Sequence, residues 1–482
     1  MEIVINISET LPTKTFMYSN VLLSNMLLRF INRKPELNAL EKRYESSDPE
    51  FFIIYGRRRI GKTELVKKFA STKEHFYFLA REEPIELEIE RYNKKFAEKF
   101  NIYLEKTREF EGLFKQILEK IDLRKKFIFI IDEFPFWVSK HKPIVSEFQY
   151  LWDELLKKYN VFLILLGSSV AVMEHKILAY KSPLYGRRTG QLKILPLNLK
   201  HVRDFLPHYD VKDVFRVYGA VGGIPFYLKE FKDTQAFNKN IENTFFNKAS
   251  ILYEEAEILL REKLREVNTY FNIMKAIDDG ATKLSEIASK SQIDITNINK
   301  YLSTLMNLGF VKKEYPITQP PKPRNFLYRL NDNYFKFWLK YVYPYKEEIE
   351  EDVNTVLMVL EREYSVYMGR IFEDVCKMLL RNLTITLFEE PGTRIGTWWH
   401  KDKEIDIVAV NEKRKDILFA ECKWKDKVIA ENVLSQLKEK SRHLKWHNQE
   451  RKEHFAIFAQ SFSEKSKDCL CFDLKDLERA LR

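Results

Sequence analysis

Eight residues near position 60 carry the most specific chemistry in the chain. Gly56-Arg57-Arg58-Arg59-Ile60-Gly61-Lys62-Thr63 follows the apolar run FFIIY, and Glu64 opens the helix-like stretch ELVKKF. The glycines let backbone N–H groups turn inward around phosphate oxygens. Lys62 adds a point charge at the outer phosphates, and Thr63 offers a hydroxyl to a magnesium ion. The helix that follows aims its positive end at the same place. Residues 56–64 are therefore expected to bind ATP with Mg²⁺. Two later apolar runs end in residues that complete such a site. KKFIFIIDEFPFW reaches Asp132, expected to hold Mg²⁺, and Glu133, expected to polarise the attacking water with Lys62 stabilising charge. VFLILLGSSVAVM ends at Ser168 and Ser169, which could sense the terminal phosphate or simply form a turn after Gly167.

A second constellation lies near the C-terminus. EIDIVAV and DILFAECK flank the charged turn NEKRK, and each apolar run carries one acid where burial ought to forbid it. With the turn centred between Lys413 and Arg414, paired residue numbers sum to 827, which sets Asp406 opposite Glu421. Directly opposed side chains have Cβ atoms roughly 4.5–5.5 Å apart, and like charges there destabilise a hairpin unless something bridges them. Oxygen ligands suit Mg²⁺ or Mn²⁺. Lys423 falls on the face of Glu421, roughly 6.6 Å along the strand, where it can position a water. The other face reads Ile405, Ile407 and Ala409 against Cys422, Ala420 and Leu418. Upstream, YMGRIFEDVCKMLLRNL places Glu373 on an amphipathic helix. Downstream, KSRHLKWHNQERKEH is either a phosphate-tracking stretch or a solvated helix face.

The elements that must position these groups come from a chain of 482 residues, enough for about three domains. Hydrophobic residues make up 45% and charged residues 31%, the balance of a folded globular protein. The excess of 81 Lys+Arg over 70 Asp+Glu gives +11, which suits a polyanion partner such as DNA but also arises from genome-wide lysine bias. Four scattered cysteines exclude a disulfide framework and imply a reducing, cytoplasmic compartment. No run reaches the roughly 20 apolar residues of a membrane span, and MEIVINISET lacks the basic start of a signal peptide.

Between the two sites, TYFNIMKAIDDG, TKLSEIASKS and DITNINKYLSTLMNLGF predict three short helices. VKKEYPITQPPKPRNFLYRLND then predicts two strands around a Pro-rich loop. The arrangement resembles a winged helix, in which Asn297, Asn299 and Lys300 would face DNA and Lys312, Lys313, Lys322 and Arg324 its phosphates. The same fold could equally be an internal arm packed on the first domain. YFKFWLKYVYPY, residues 334–345, reads as core or domain interface.

FINRKPELNALEKRY, residues 30–44, resembles the motif that precedes the phosphate loop in AAA+-related signalling ATPases of the STAND class. YGAVGGIPFYL, residues 218–228, resembles their Gly-x-Pro motif. The chain is thus similar to a large family of archaeal ATPases, some of which carry a nuclease-like C-terminal domain. That resemblance implies that Arg33, Glu36 and Leu37 frame the base side of the nucleotide and that Pro225 contacts it from a helical lid. It allows Arg187 or Arg188 to reach the γ-phosphate. The Asp406, Glu421-x-Lys423 pattern resembles the PD-(D/E)XK nuclease superfamily, which implies that Asp406, Glu421 and Glu373 serve a metal site. Glu421 and Lys423 then take catalytic roles. The expected fold is α/β and multidomain, with an extension over 1–25, a phosphate-loop ATPase domain over 26–200 and a helical lid over 201–258. A winged helix over 259–345 and a PD-(D/E)XK nuclease-like domain over 346–482 follow. The function expected is an ATP-hydrolysing switch acting on DNA; the alternative is a nucleotide-switched regulator or scaffold whose tail cuts nothing.

Overall fold

A computed structural model describes residues 30–262, 264–318, 325–388 and 392–481. The expected extension over 1–25 and the wing residues Lys322 and Arg324 lie outside them.

The first half is built on a parallel sheet of β1 (Glu50–Tyr55), β2 (His75–Leu79), β3 (Phe127–Asp132), β4 (Val161–Gly167) and β5 (Gly190–Lys193), in the order β2-β3-β4-β1-β5. Strands β1, β3 and β4 are buried along their whole length, as strands covered on both faces must be. Their unbroken apolar runs reflect this. Helix α1 (Lys34–Tyr44) and helix α2 (Lys62–Ala70) lie on one face with the core of Ile54, Ile130 and Ile164. The helices Ile85–Phe100 and Phe110–Leu118 cover the other, around Phe76, Tyr92 and Trp137. The acids and serines expected at the ends of β3 and β4 follow from one rule. β1, β3 and β4 run parallel, so the loops leaving their C-terminal ends share one edge.

Helix α3 (Ile251–Arg261) leads to three short helices, α4 (Val267–Asp278), α5 (Leu284–Ser291) and α6 (Ile298–Asn307). An antiparallel pair follows, β6 (Val311–Glu314) with β7 (Leu327–Leu330), and then α7 (Asn333–Tyr341). Asp332 caps α7 by accepting the Phe335 N–H at 3.1 Å. The aromatic run is core: Tyr334, Phe335, Phe337, Trp338 and Tyr341 are all buried. Tyr334 and Trp338 bind α3 directly, their polar atoms donating to Leu252 O at 2.9 Å and Tyr253 O at 2.7 Å.

The long helix α8 (Val353–Phe388) then packs on a second, five-stranded sheet. β8 (Arg394–His400), β9 (Lys403–Asn411) and β10 (Asp416–Lys423) form an antiparallel meander; β11 (Val428–Ile429) pairs apart with β13 (Phe462–Glu464). Helix α9 (Ala430–Ser441) covers the opposite face, and β12 (Lys452–Ala459) and β14 (Leu470–Phe472) extend the sheet in parallel from β10. The hairpin register is the one that the turn symmetry predicts, from Asp416↔Asn411 to Ala420↔Ile407. One face differs from expectation. Ile407 and Ala409 join the core under α8, but Ile405 packs with Val408 and Val410 on the α9 side. The pairing of β8 with β9 steps from Gly396↔Val408 to Trp398↔Ile405, so β9 holds one extra residue at positions 406 and 407. Such a bulge flips the strand's faces and re-aims a side chain. Asp406 sits in it.

The basic stretch near residue 445 is not a continuous helix face. It leaves α9 at Ser441, and Arg451 turns inward to donate to Ser441 O, Leu444 O and Trp446 O.

Candidate functional site

At the sheet edge above β1, Gly56 approaches Ile194 so closely that a Cβ would lie 2.5 Å from its carbonyl oxygen, and its φ of 157° falls where other residues are strained. Gly61, at φ 93°, caps α2, and Lys62 begins the helix. Lys62 is 4% exposed; its Nζ donates to Gly56 O at 3.0 Å, Arg57 O at 3.1 Å and Ser168 Oγ at 2.8 Å. Thr63 Oγ1 donates to Asp132 Oδ2 at 2.6 Å. Glu133 follows in a left-handed conformation, φ 56°, which costs a non-glycine residue about 1–2 kcal/mol and turns its side chain to the same edge. Ser168 binds it twice, with its N–H donating to Glu133 Oε2 at 3.1 Å and its hydroxyl to Oε1. β1, β3 and β4 thereby deliver one connected cluster, Thr63–Asp132 beside Lys62–Ser168–Glu133.

A cleft of about 510 Å³ opens over this cluster, lined by Arg33, Arg58, Arg59, Ile60 and Glu64, with Pro225 and Phe226 on the far wall. Arg33 holds the loop from behind, donating to Ile60 O at 3.1 Å, Leu195 O at 2.8 Å and Glu36 Oε1 at 3.0 Å. Leu37 packs against the core. Ser169 and Arg57 do not line the cleft, and Arg188 does not reach it: its guanidinium is held by Gln191 at 2.8 Å and by Tyr185 O. Arg187 pairs with Asp153 at 3.1 Å. Both arginines are spent before the phosphate edge. The oxygens of Thr63 and Asp132 suit a hard divalent cation.

The second constellation is brought together in part. Asp406 Oδ2 accepts the Cys422 N–H at 2.8 Å, just beyond the last β9–β10 pair, Ile407 with Ala420. Glu421 is 2% exposed and takes an ammonium on each oxygen, Lys423 at 2.8 Å and Lys440 of α9 at 2.6 Å. Burial, then the charge of Glu421, raises the pKa of Asp406 above its ordinary range. Burial and then Asp406 do the same to Glu373. Burial works against the Lys423 charge, but the neighbouring Glu421 outweighs it and holds that pKa above the usual value. Among the described residues no three acidic, His or Cys side chains gather with metal-holding geometry. α9 thus brings the Lys440 ammonium onto one Glu421 oxygen. Glu373 and Asp406 instead line a separate cleft of about 280 Å³ between α8 and the β6–β7 hairpin.

Comparison with known proteins follows the same division. Residues 30–231 match a family described as an ATPase domain predominantly from Archaea. Residues 338–442 match one described as archaeal and bacterial proteins of unknown function. An uncharacterized protein of Methanocaldococcus jannaschii is 35% identical over 452 residues, 93% of this chain and 99% of that protein. The chain belongs to this family of archaeal ATPases. An uncharacterized ATP-binding protein of the same organism is 47% identical over 47 residues, 10% of this chain and 80% of that one. The Walker-type ATPase of Pyrococcus abyssi shares the fold, with a TM-score of 0.50 and 21% identity over 64% of this chain and 96% of that one. The phosphate-loop cluster lies within the residues matched to the ATPase domain. No described helix is long and apolar enough to cross a membrane.

Three features of this ATPase escaped the sequence reading. Tyr77 donates to Asp132 Oδ2 at 2.8 Å, and burial together with that carboxylate raises the phenol's pKa. Phe226 and Lys229 join Pro225 on the far wall of the cleft. Each loop arginine pairs with an acid far along the chain, Arg57 with Asp332, Arg58 with Glu262 and Arg59 with Glu255. Only Tyr77 had a legible signal, as a polar tip on the strand adjacent to β3.

Proposed function

We propose that the protein is an ATP-hydrolysing switch that acts on DNA, with its nucleotide state governing a winged-helix arm and a nuclease-like C-terminal domain. One observation carries the reading: Lys62, Ser168 and Glu133 form a single hydrogen-bonded chain beside Thr63–Asp132, at the floor of a cleft large enough for a nucleotide. Backbone N–H groups of residues 56–61 and the start of α2 bind the phosphates, and Lys62 neutralises charge on them. Glu133 takes up the proton of the attacking water once Ser168 releases one of its oxygens. A magnesium ion held by Thr63 and Asp132 would offset charge on the outer phosphates. Lys62→Ala and Glu133→Gln are each expected to lower ATP turnover at least a hundredfold. Turnover unchanged in either would end the assignment.

The exposed Asn297, Asn299 and Lys300 on and beside α6 support a DNA-facing helix, as does Lys313 on the hairpin. Asp406, Glu421 and Lys423 on adjacent strands, with Glu373 on the preceding helix, support the nuclease-like reading. Cleavage of single-stranded, duplex or branched DNA with Mg²⁺ or Mn²⁺ is expected to vanish in Asp406→Ala and Lys423→Ala. Cutting that survives both would refute it. The occupation of both Glu421 oxygens by lysines favours a second reading, in which the domain binds DNA and cuts nothing. That reading predicts salt-sensitive binding, no cleavage and indifference to Lys423.

A further inference from the structure

The phosphate loop is held from outside. Three consecutive residues of the loop are arginines, and each meets an acid far along the chain. Arg58 and Glu262 meet at the surface, with side chains 43% and 41% exposed, where an ion pair contributes little. The other two pairs are sheltered. Arg59 meets Glu255 at 2.6 Å, and that carboxylate is fully buried on α3. Arg57 meets Asp332, the cap of α7, with side chains 18% and 7% exposed; its guanidinium lies 5.4 Å from the centre of the Phe310 ring and 5.9 Å from that of Phe335. Arg57 faces away from the cleft, so its anchoring is separate from any contact with the nucleotide.

We infer that Asp332 is a positioning residue for ATP binding: through Arg57 it fixes the phosphate loop in the conformation that accepts the triphosphate, and so ties nucleotide occupancy to the placement of α7. A loop without this anchor spends only a fraction of its time in the binding-competent shape, and its apparent affinity falls by that fraction. By linkage the dependence runs both ways, and bound ATP strengthens the hold on α7. α7 is suited to pass this on. Lys336, four residues or about 6 Å along the helix, pairs at 3.6 Å with Asp374, the neighbour of Glu373 on α8. One helix therefore touches the nucleotide loop at its N-cap and the second cleft one turn later.

The inference rests on the loop being an ATP site, and one substitution separates the two claims. Asparagine caps a helix as well as aspartate, so Asp332→Asn keeps the bond to Phe335 N–H and removes only the charge that Arg57 needs. In the full-length protein, the KM for ATP is expected to rise at least fivefold in Asp332→Asn, with kcat within twofold. Arg57→Gln is expected to raise KM likewise, and the double variant to be no worse than either single one. Hydrogen exchange across residues 333–341 is expected to slow on adding ATP in the wild type and not in Asp332→Asn. An unchanged KM, or single effects that multiply in the double variant, would overturn the inference while leaving wild-type turnover intact. Absence of turnover in the wild type would instead strike the ATPase reading itself.

Discussion

Arg33 is where the nucleotide site depends most on a single side chain outside the loop. The residue is 6% exposed, and its guanidinium makes three bonds, to the carbonyls of Ile60 and Leu195 and to Glu36. Arg33→Met keeps the length of the stem and removes every donor. Two carbonyls then lose a charged donor, at about 1.5 kcal/mol each, or about 3 kcal/mol together; the partly exposed Glu36 adds little. Against a stability of about 5–15 kcal/mol this is a large share. With a urea slope of about 2 kcal/mol per molar, the unfolding midpoint should fall by about 1.5 M. Ile60 directly precedes Gly61, so the freed carbonyl also loosens the loop, and ATP affinity should fall at least tenfold by equilibrium titration. Arg33→Lys, with one donor group left, should lie between. A midpoint within 0.3 M of wild type and an affinity within about twofold would refute the claim that Arg33 braces the loop, since charged hydrogen bonds of this kind cannot be lost that cheaply.

Burial raises the pKa of Asp278 to about 6, against Lys275 and Lys340, which lower it. The folded state therefore favours the protonated acid: its contribution is fully present below about pH 4 and is lost as pH rises through about 6. Asp278→Asn should match wild type near pH 4 and exceed it at pH 8 by up to about 3 kcal/mol; a difference independent of pH in urea unfolding would contradict this. A Cβ at Gly223 would lie 1.9 Å from the Leu197 carbonyl oxygen, whereas one at Gly186 would meet nothing within 4 Å. Gly223→Ala should destabilise by about 1–3 kcal/mol and Gly186→Ala by almost none, which thermal melts of the two variants would check. Tyr77→Phe leaves Asp132 with Thr63 and the Glu133 N–H. ATP turnover should fall about threefold to tenfold, within the worth of one hydrogen bond to a charged group, and the Mg²⁺ concentration for half-maximal rate should rise. An unaltered Mg²⁺ dependence would show that Tyr77 does not steady that carboxylate.

The sequence by itself determined whatever is local. An apolar run followed by glycines, Lys62 and Thr63 can only be a strand, a phosphate loop and a helix start, because each motif is defined by neighbours a few residues away. The strand ends at Asp132 and Ser168 were legible for the same reason, and parallel pairing then made their meeting unavoidable. Turn symmetry likewise set the β9–β10 register. Tertiary structure decided the rest. The bulge at residues 406 and 407 arises from how β9 meets β8, a strand on its far side, so it flips Ile405 against a pattern that alternates in the sequence. Lys440 reaches Glu421 only because α9 folds back over the sheet, and Arg188 loses the phosphate edge to nearer partners. The pairs of Arg57 with Asp332 and Arg59 with Glu255 join residues some two hundred positions or more apart. Charge carries no address along a chain, so which acid meets which arginine is fixed by packing alone.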